Sequence, residues 1–165
     1  MMPYLIDASS LIEAKERNFC FDICPGFWDW LDQHNTDGNV FSIDRVYDEL
    51  SRGNDSLVMW AKQRKASFFL PVDPATITAM TQVTQWANGG NFTPRAQEEF
   101  LRGADPFLIA YALAHGHTIV TDETYVLGEK KKIKIPAACQ KFNVKCMSPL
   151  EMLRAEGVRF VLAMP

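Results

Sequence analysis

The sequence predicts an α/β protein: a parallel sheet with helices on both faces. Two observations carry this. Short apolar runs of strand length alternate with helix-length segments along the chain, and the segment from Phe107 to Ala114 is apolar nearly all round, as a helix wedged between a sheet and its neighbours has to be. There are no internal repeats and no low-complexity linkers, and 165 residues suit a single domain, 1–165.

In order, Tyr4-Leu5-Ile6 is a buried strand that stops at Asp7, and Leu11, Ile12 and Ala14 continue as a helix. Pro25-Gly26 opens a second helix, Phe27 to Gln33, dense in aromatics. Asn39 to Ile43 is a strand running into a helix through about Ser51, and Arg52-Gly53-Asn54-Asp55 breaks it. A helix from Ser56 to Lys65 precedes a strand at Phe68-Phe69-Leu70. Pro74 starts a longer helix ending near Ala87, with a loop at Asn88-Gly89-Gly90-Asn91. Thr93-Pro94 starts another, with Gln97 placed like a capping-box partner. A helix from Asp105 to His115 ends at Gly116, and His117 to Thr121 is a strand. Glu129 to Lys134 is a polar loop, Ile135 to Phe142 a helix, Val144 to Met147 a strand, and Ser148-Pro149 opens the last helix.

Hydrophobic residues are 47% and charged residues 22% of the chain, enough for a real core. The net charge of -3 excludes a generic basic coat, so any nucleic acid has to be met by a local patch. No stretch approaches the roughly 20 apolar residues of a membrane span, and the first residues lack the pattern of a signal peptide. Cys20, Cys24, Cys139 and Cys146 form no Cys-x-x-Cys pair and read as reduced thiols of a cytoplasmic protein, Cys139 and Cys146 as buried ones. A zinc site from Cys20, Cys24 and His34 lacks the usual spacing.

Acids fall where strands hand over to loops or helices. Asp7 either caps the helix after it or serves a site; Ser9 could equally cap and so free Asp7. In the helix after the second strand, Ile43, Val46, Tyr47 and Leu50 share a face at about 100° per residue. Glu49 borders that face and Asp48 points away. Asp105 before Pro106 is a good N-cap, yet a carboxylate at the mouth of a buried helix also needs a partner or a metal. Alternation along the fourth strand puts Thr121 and Glu123 on one face and Asp122 on the other. Converging ionised carboxylates are stable together only around a cation. Oxygen ligands with few nitrogens or sulfurs suit Mg2+ or Mn2+, which activate water and bridge phosphate oxygens.

Four motifs resemble the PIN-domain family, including the VapC-type toxin ribonucleases: Leu5-Ile6-Asp7-Ala8-Ser9-Ser10-Leu11-Ile12, Val46-Tyr47-Asp48-Glu49-Leu50, Asp105 with the Ala-rich helix to Ala112, and Val120-Thr121-Asp122-Glu123. Ala8 departs from the usual hydroxyl residue, and Glu123, the acid at the matching spacing, is Asp in many members. The stretches Phe21 to Leu31 and Lys134 to Cys139 resemble a less-studied bacterial PIN-like branch. The resemblance implies a three-layer α/β/α sandwich with a mainly parallel sheet of four to five strands. It also implies an endoribonuclease with one or two Mg2+ or Mn2+ ions, RNA as substrate and an antitoxin partner. Asp7, Glu49, Asp105 and Glu123 would be catalytic and metal-holding, with Asp122 as a further metal candidate and Ser9 and Thr121 in support.

Lys130, Lys131, Lys132 and Lys134 either hold RNA phosphates or form a solvated loop. Phe27, Trp28, Trp30 and Leu31 read as core or as a homodimer contact rather than as a base-stacking surface. One alternative is a non-catalytic PIN-like module binding RNA or protein. Another, a haloacid-dehalogenase-like phosphohydrolase, is disfavoured because Ser9 stands where that family has a second Asp.

Overall fold

A computed structural model describes residues 2–164. Five parallel strands form the sheet, in the order β3-β2-β1-β4-β5: β1 (Tyr4–Ile6), β2 (Val40–Ile43), β3 (Phe69–Leu70), β4 (Thr118–Val120) and β5 (Cys146–Met147). Tyr4, Leu5, Ile6, Thr118, Ile119 and Val120 are all buried, which is what a central parallel strand covered on both faces requires. Among the described residues, ten helices pack around the sheet: α1 (Ala8–Glu13, continued by a π-helical turn, Ala14–Asn18), α2 (Pro25–Thr36), α3 (Asp44–Leu50), α4 (Ser56–Gln63), α5 (Lys65–Phe68), α6 (Pro74–Gly89), α7 (Pro94–Arg102), α8 (Asp105–His115), α9 (Ile135–Phe142) and α10 (Pro149–Ala155). None among the described residues is long and apolar enough to cross a membrane.

The chain starts at the centre of the sheet, builds outward through β2 and β3, then crosses back to add β4 and β5 on the other side. The connections after β1 and β4 therefore part in opposite directions and leave a crevice between the carboxyl ends of these two strands. α8 feeds β4 through the turn at Gly116 and packs on it, so its N-terminus returns to the same end of the sheet.

Phe27, Trp28 and Leu31 are buried. Trp28 stacks on Phe21 with 4.0 Å between ring centroids and donates from Nε1 to the Phe19 carbonyl at 2.7 Å, so this aromatic run is core. Trp30 instead stacks on His34, whose Nδ1 lies 3.0 Å from the Trp30 carbonyl, and no zinc-like cluster forms among the described residues.

Several local expectations are corrected. α6 runs on through Asn88 and Gly89, where the Gln97 side-chain amide donates to the Asn88 carbonyl; the residue three after the cap Thr93 is Ala96, so Gln97 stands one position too late to close a capping box. Thr93 caps α7 alone, through the Ala96 amide. The stretch from Ser56 to Lys65 breaks at Arg64, whose guanidinium pairs with Asp32 of α2. Cys146 is only half-buried, although Cys139 is buried.

The reciprocal capping box forms at α10. Ser148 Oγ accepts from the Glu151 amide at 3.2 Å, and Glu151 Oε2 accepts from the Ser148 amide at 2.7 Å. Ser148→Ala is expected to cost about 1 kcal/mol, read as a lower urea midpoint at unchanged slope.

Candidate active site

The register of the two central strands builds the site. Ile6 lies opposite Val120, so the next residues, Asp7 and Thr121, face each other across the crevice. The Asp7 amide still donates to the Val120 carbonyl at 3.1 Å, which fixes its backbone on the sheet. Asp7 is buried, with 2% of its surface exposed. Its two oxygens divide the work: Oδ1 accepts from the Ser10 amide at 2.8 Å and caps α1, while Oδ2 accepts from Ser9 Oγ at 2.8 Å and Thr121 Oγ1 at 2.6 Å. Asp7 thus caps α1 with one oxygen and is held in the crevice by the other, and Ser9 caps nothing: its hydroxyl holds Asp7. Burial raises the Asp7 carboxyl above the usual carboxylate range, against the pull of these donors.

Asp105 enters from α8. The helical turn already begins at Ala104, whose carbonyl accepts from the Leu108 amide. Asp105 therefore occupies the first helical position, with Ala104 in the cap position, and the capping reading of its side chain fails. No hydrogen bond to the Asp105 carboxyl occurs among the described residues. Burial and, after it, the charges of Asp7, Glu123 and Glu49 push this carboxyl up to about 7, with Lys132 pulling the other way. Its side chain lies deep in the crevice while part of the residue still meets solvent.

Glu49 and Glu123 close the sides. Glu49 Oε1 accepts from the Ala104 amide at 2.8 Å and so ties α3 to the start of α8. Glu123 Oε1 accepts from Lys132 Nζ and Oε2 from the Ile135 amide, at 2.9 and 2.8 Å, which ties the loop after β4 to the start of α9. β4 ends at Val120, so strand alternation does not reach Asp122; the residue is exposed in the loop, yet burial of its carboxyl and the charges of Asp7 and Glu13 raise its pKa.

The structure thus brings Asp7, Glu49, Asp105 and Glu123 to one end of the sheet, within reach of each other's charge. No three His, Cys, Asp or Glu side chains among the described residues are grouped closely enough to hold an ion between them. Asp7, Glu49 and Glu123 each accept from a backbone amide instead, and Asp105 alone of the four has no donor among the described residues. An oxygen-only donor set with one carboxyl free of donors, Asp105, has the chemistry that suits a hard divalent cation.

Ser10 was not legible as a site residue. It is buried, and its Oγ accepts from the Asp122 amide at 3.1 Å, joining the loops after β1 and β4. The signal was its position three residues after Asp7. Arg102 joins Arg45 and Arg52 in a pocket of about 120 Å3 beside Glu49. On the other flank, Lys132 and Lys134 line a larger cleft, while Lys130 and Lys131 are exposed.

Residues 4–160 match a family model described as a domain of unknown function, DUF4411. No curated protein matches the sequence. Among solved structures, the chain is similar to one of FitAB bound to an IR36 DNA fragment, with 15% identity, a TM-score of 0.51, and 88% of this chain and 94% of that one covered. It is also similar to FitAcB from Neisseria gonorrhoeae, with 14% identity, a TM-score of 0.51, and 89% and 98% covered. At such identity the likeness is one of fold, and the five-stranded parallel sheet wrapped by helices is PIN-like. With the family model spanning nearly its whole length, the chain belongs to the DUF4411 domain family, on a PIN-like fold.

Proposed function

We propose that this chain is a Mg2+- or Mn2+-dependent endoribonuclease that hydrolyses RNA phosphodiester bonds. The observation that carries the reading is the meeting of Asp7, Asp105, Glu49 and Glu123 at the carboxyl ends of the central strands, with Asp105 unpartnered among the other three charges. Such crowding is costly without a cation and tolerable with one.

A bound divalent ion supplies a Lewis acid for the phosphoryl oxygens and lowers the pKa of water. The chain's own residues do the rest. Asp7 is the fixed acid: two hydroxyls and an amide hold its carboxylate in one orientation. Asp105 is the free acid facing it, with its pKa near neutrality in the absence of an ion. Glu49 pins the start of α8 to α3 and Glu123 pins the start of α9 to the loop after β4, and both would hold an ion through water rather than directly. Lys132, already on Glu123, is placed to meet a phosphate at the edge of the acids.

The resemblance to PIN-domain toxin ribonucleases and the fold likeness to FitAB support the further reading that this is the toxin of a toxin–antitoxin pair, acting in the cytoplasm with an antitoxin protein as partner. A second reading has its own support. Glu49 and Glu123 each accept a backbone amide, as purely structural acids do, and this favours a non-catalytic module that binds RNA or protein. Incubating purified protein with structured and single-stranded RNAs in Mn2+ or Mg2+, with and without chelator, separates the two. Chelator-sensitive internal cleavage is the expected result. Tight, metal-independent binding with no cleavage overturns the ribonuclease and leaves the module.

A further inference from the structure

A cleft of about 330 Å3 opens beside the acids, walled by α6, the loop before α7, the loop after β4 and α9. Its volume is at the small end of ligand pockets, roughly 300–1,000 Å3, and admits one nucleoside. Three aromatics line it. Trp86 is half-buried, held edge-to-face by Phe92, Phe100 and Phe142. Phe92 is fixed by Gly90, where any Cβ would come within 2.9 Å of its ring. Tyr125 on the opposite rim is 47% exposed, a large aromatic surface left to solvent.

The charge of the cleft is opposite to that of the chain. Lys132, Lys134 and Lys141 line it, against one acid, Glu129, whose Oε1 is already engaged by the Lys131 amide. The chain as a whole carries -3. The cleft is also continuous with the acids: Lys132 lines its wall and reaches Glu123 Oε1 at 2.9 Å. Aromatic faces set among lysines, next to a lysine already at the acids, are how proteins hold single-stranded nucleic acid: bases stack and the backbone follows the charge.

We infer that this cleft is a base-binding subsite for single-stranded RNA, in which an unpaired base enters between Tyr125 and the Trp86–Phe92 wall while Lys132 and Lys134 hold the adjoining phosphate. The inference deepens the proposed function and rests on its reading that RNA is what this chain binds. A base held in a duplex cannot enter, so the cleft selects for single strands, loops and ends.

The test is binding of a short labelled single-stranded RNA by fluorescence anisotropy in EDTA, where cleavage does not enter the readout. Tyr125→Ala removes an exposed ring, so folding is not at stake. Ala137→Phe fills the cleft from α9 without touching the acids. Each is expected to weaken binding about tenfold, the usual loss for one stacked base, and a duplex of the same sequence is expected to compete poorly. Absence of single-strand binding by the wild type, unchanged binding by both variants, or equal competition by duplex overturns the subsite. The two readings fail separately. Variants that bind and cut like the wild type remove the subsite and leave the nuclease, whereas wild-type binding lost in both variants, with no cleavage in Mn2+, removes the nuclease and leaves the subsite.

Discussion

Asp7→Asn is expected to lower RNA cleavage on the order of a thousandfold, the scale of losing a charged group that acts directly on the reacting phosphate, while leaving the protein folded. The fold survives because the amide keeps most of the contacts. Its carbonyl oxygen can still accept from the Ser10 amide and cap α1. Its NH2 replaces the oxygen that now accepts from Ser9 and Thr121, and both hydroxyls can turn to become acceptors. Burying a neutral amide also avoids the desolvation that raises the Asp7 carboxyl. Removing the charge takes away the electrostatic hold on a cation and nothing else of comparable size. Cleavage in Mn2+, run beside far-UV circular dichroism and a thermal melt, checks this. A folded variant cutting RNA at the wild-type rate would remove Asp7 from the chemistry.

What the sequence made legible follows from the range of the interactions involved. β1, β4 and α8 show in the pattern because burial on both sides leaves long apolar runs, and the turn at Gly116 marks where α8 stops. Asp7 and Glu123 show because they stand at strand ends, where a parallel sheet places its open edge. Long-range choices did not show. Arg64 ends α4 to meet Asp32, 32 residues away in the chain, and Gln97 reaches back to the Asn88 carbonyl at the end of α6. The roles of Glu49 and Glu123 were only half legible. Their places were readable, but the Ala104 and Ile135 amides that they accept from come from elements whose docking no local pattern specifies. Ser10 was hidden in the same way, since its partner is the amide of Asp122, 112 residues on. The aromatic and lysine cleft is assembled from four separate segments, and in the sequence it survives only as scattered Trp, Phe, Tyr and Lys.

Asp105→Asn is expected to stabilise the metal-free protein at pH 8 and to gain less than half as much at pH 5. The sign follows from linkage. The Asp105 carboxyl lies near 3.8 in the unfolded chain and is pushed up to about 7 in the folded one, by burial first and then by Asp7, Glu123 and Glu49. The folded state therefore holds the proton more tightly. The stability tied to this group is fully present below about pH 4 and is lost as pH rises through about 7. A tenfold change in proton affinity corresponds to about 1.4 kcal/mol; because the residue still meets solvent, on the order of 2 kcal/mol is the gain expected of the variant at pH 8. Asp7, also raised, acts in the same direction. His117 acts in the opposite one: burial lowers its pKa from 6.5, so its contribution is present above that value and lost as pH falls. Subtracting the variant's profile from the wild type's cancels His117 and leaves Asp105 together with its coupling to Asp7, Glu123 and Glu49, and staying above pH 5 avoids Asp73, whose carboxyl is held down to about 2 by the Thr76 amide and hydroxyl. Urea titrations in EDTA between pH 5 and 8 measure the difference. Adding Mn2+ at pH 8 should then recover in the wild type what the variant gains by losing the charge, and should stabilise the variant far less. Parallel profiles for the two proteins, with no differential response to Mn2+, would mean that Asp105 carries no buried repulsion for a cation to relieve, and the proposed metal chemistry would lose its physical basis.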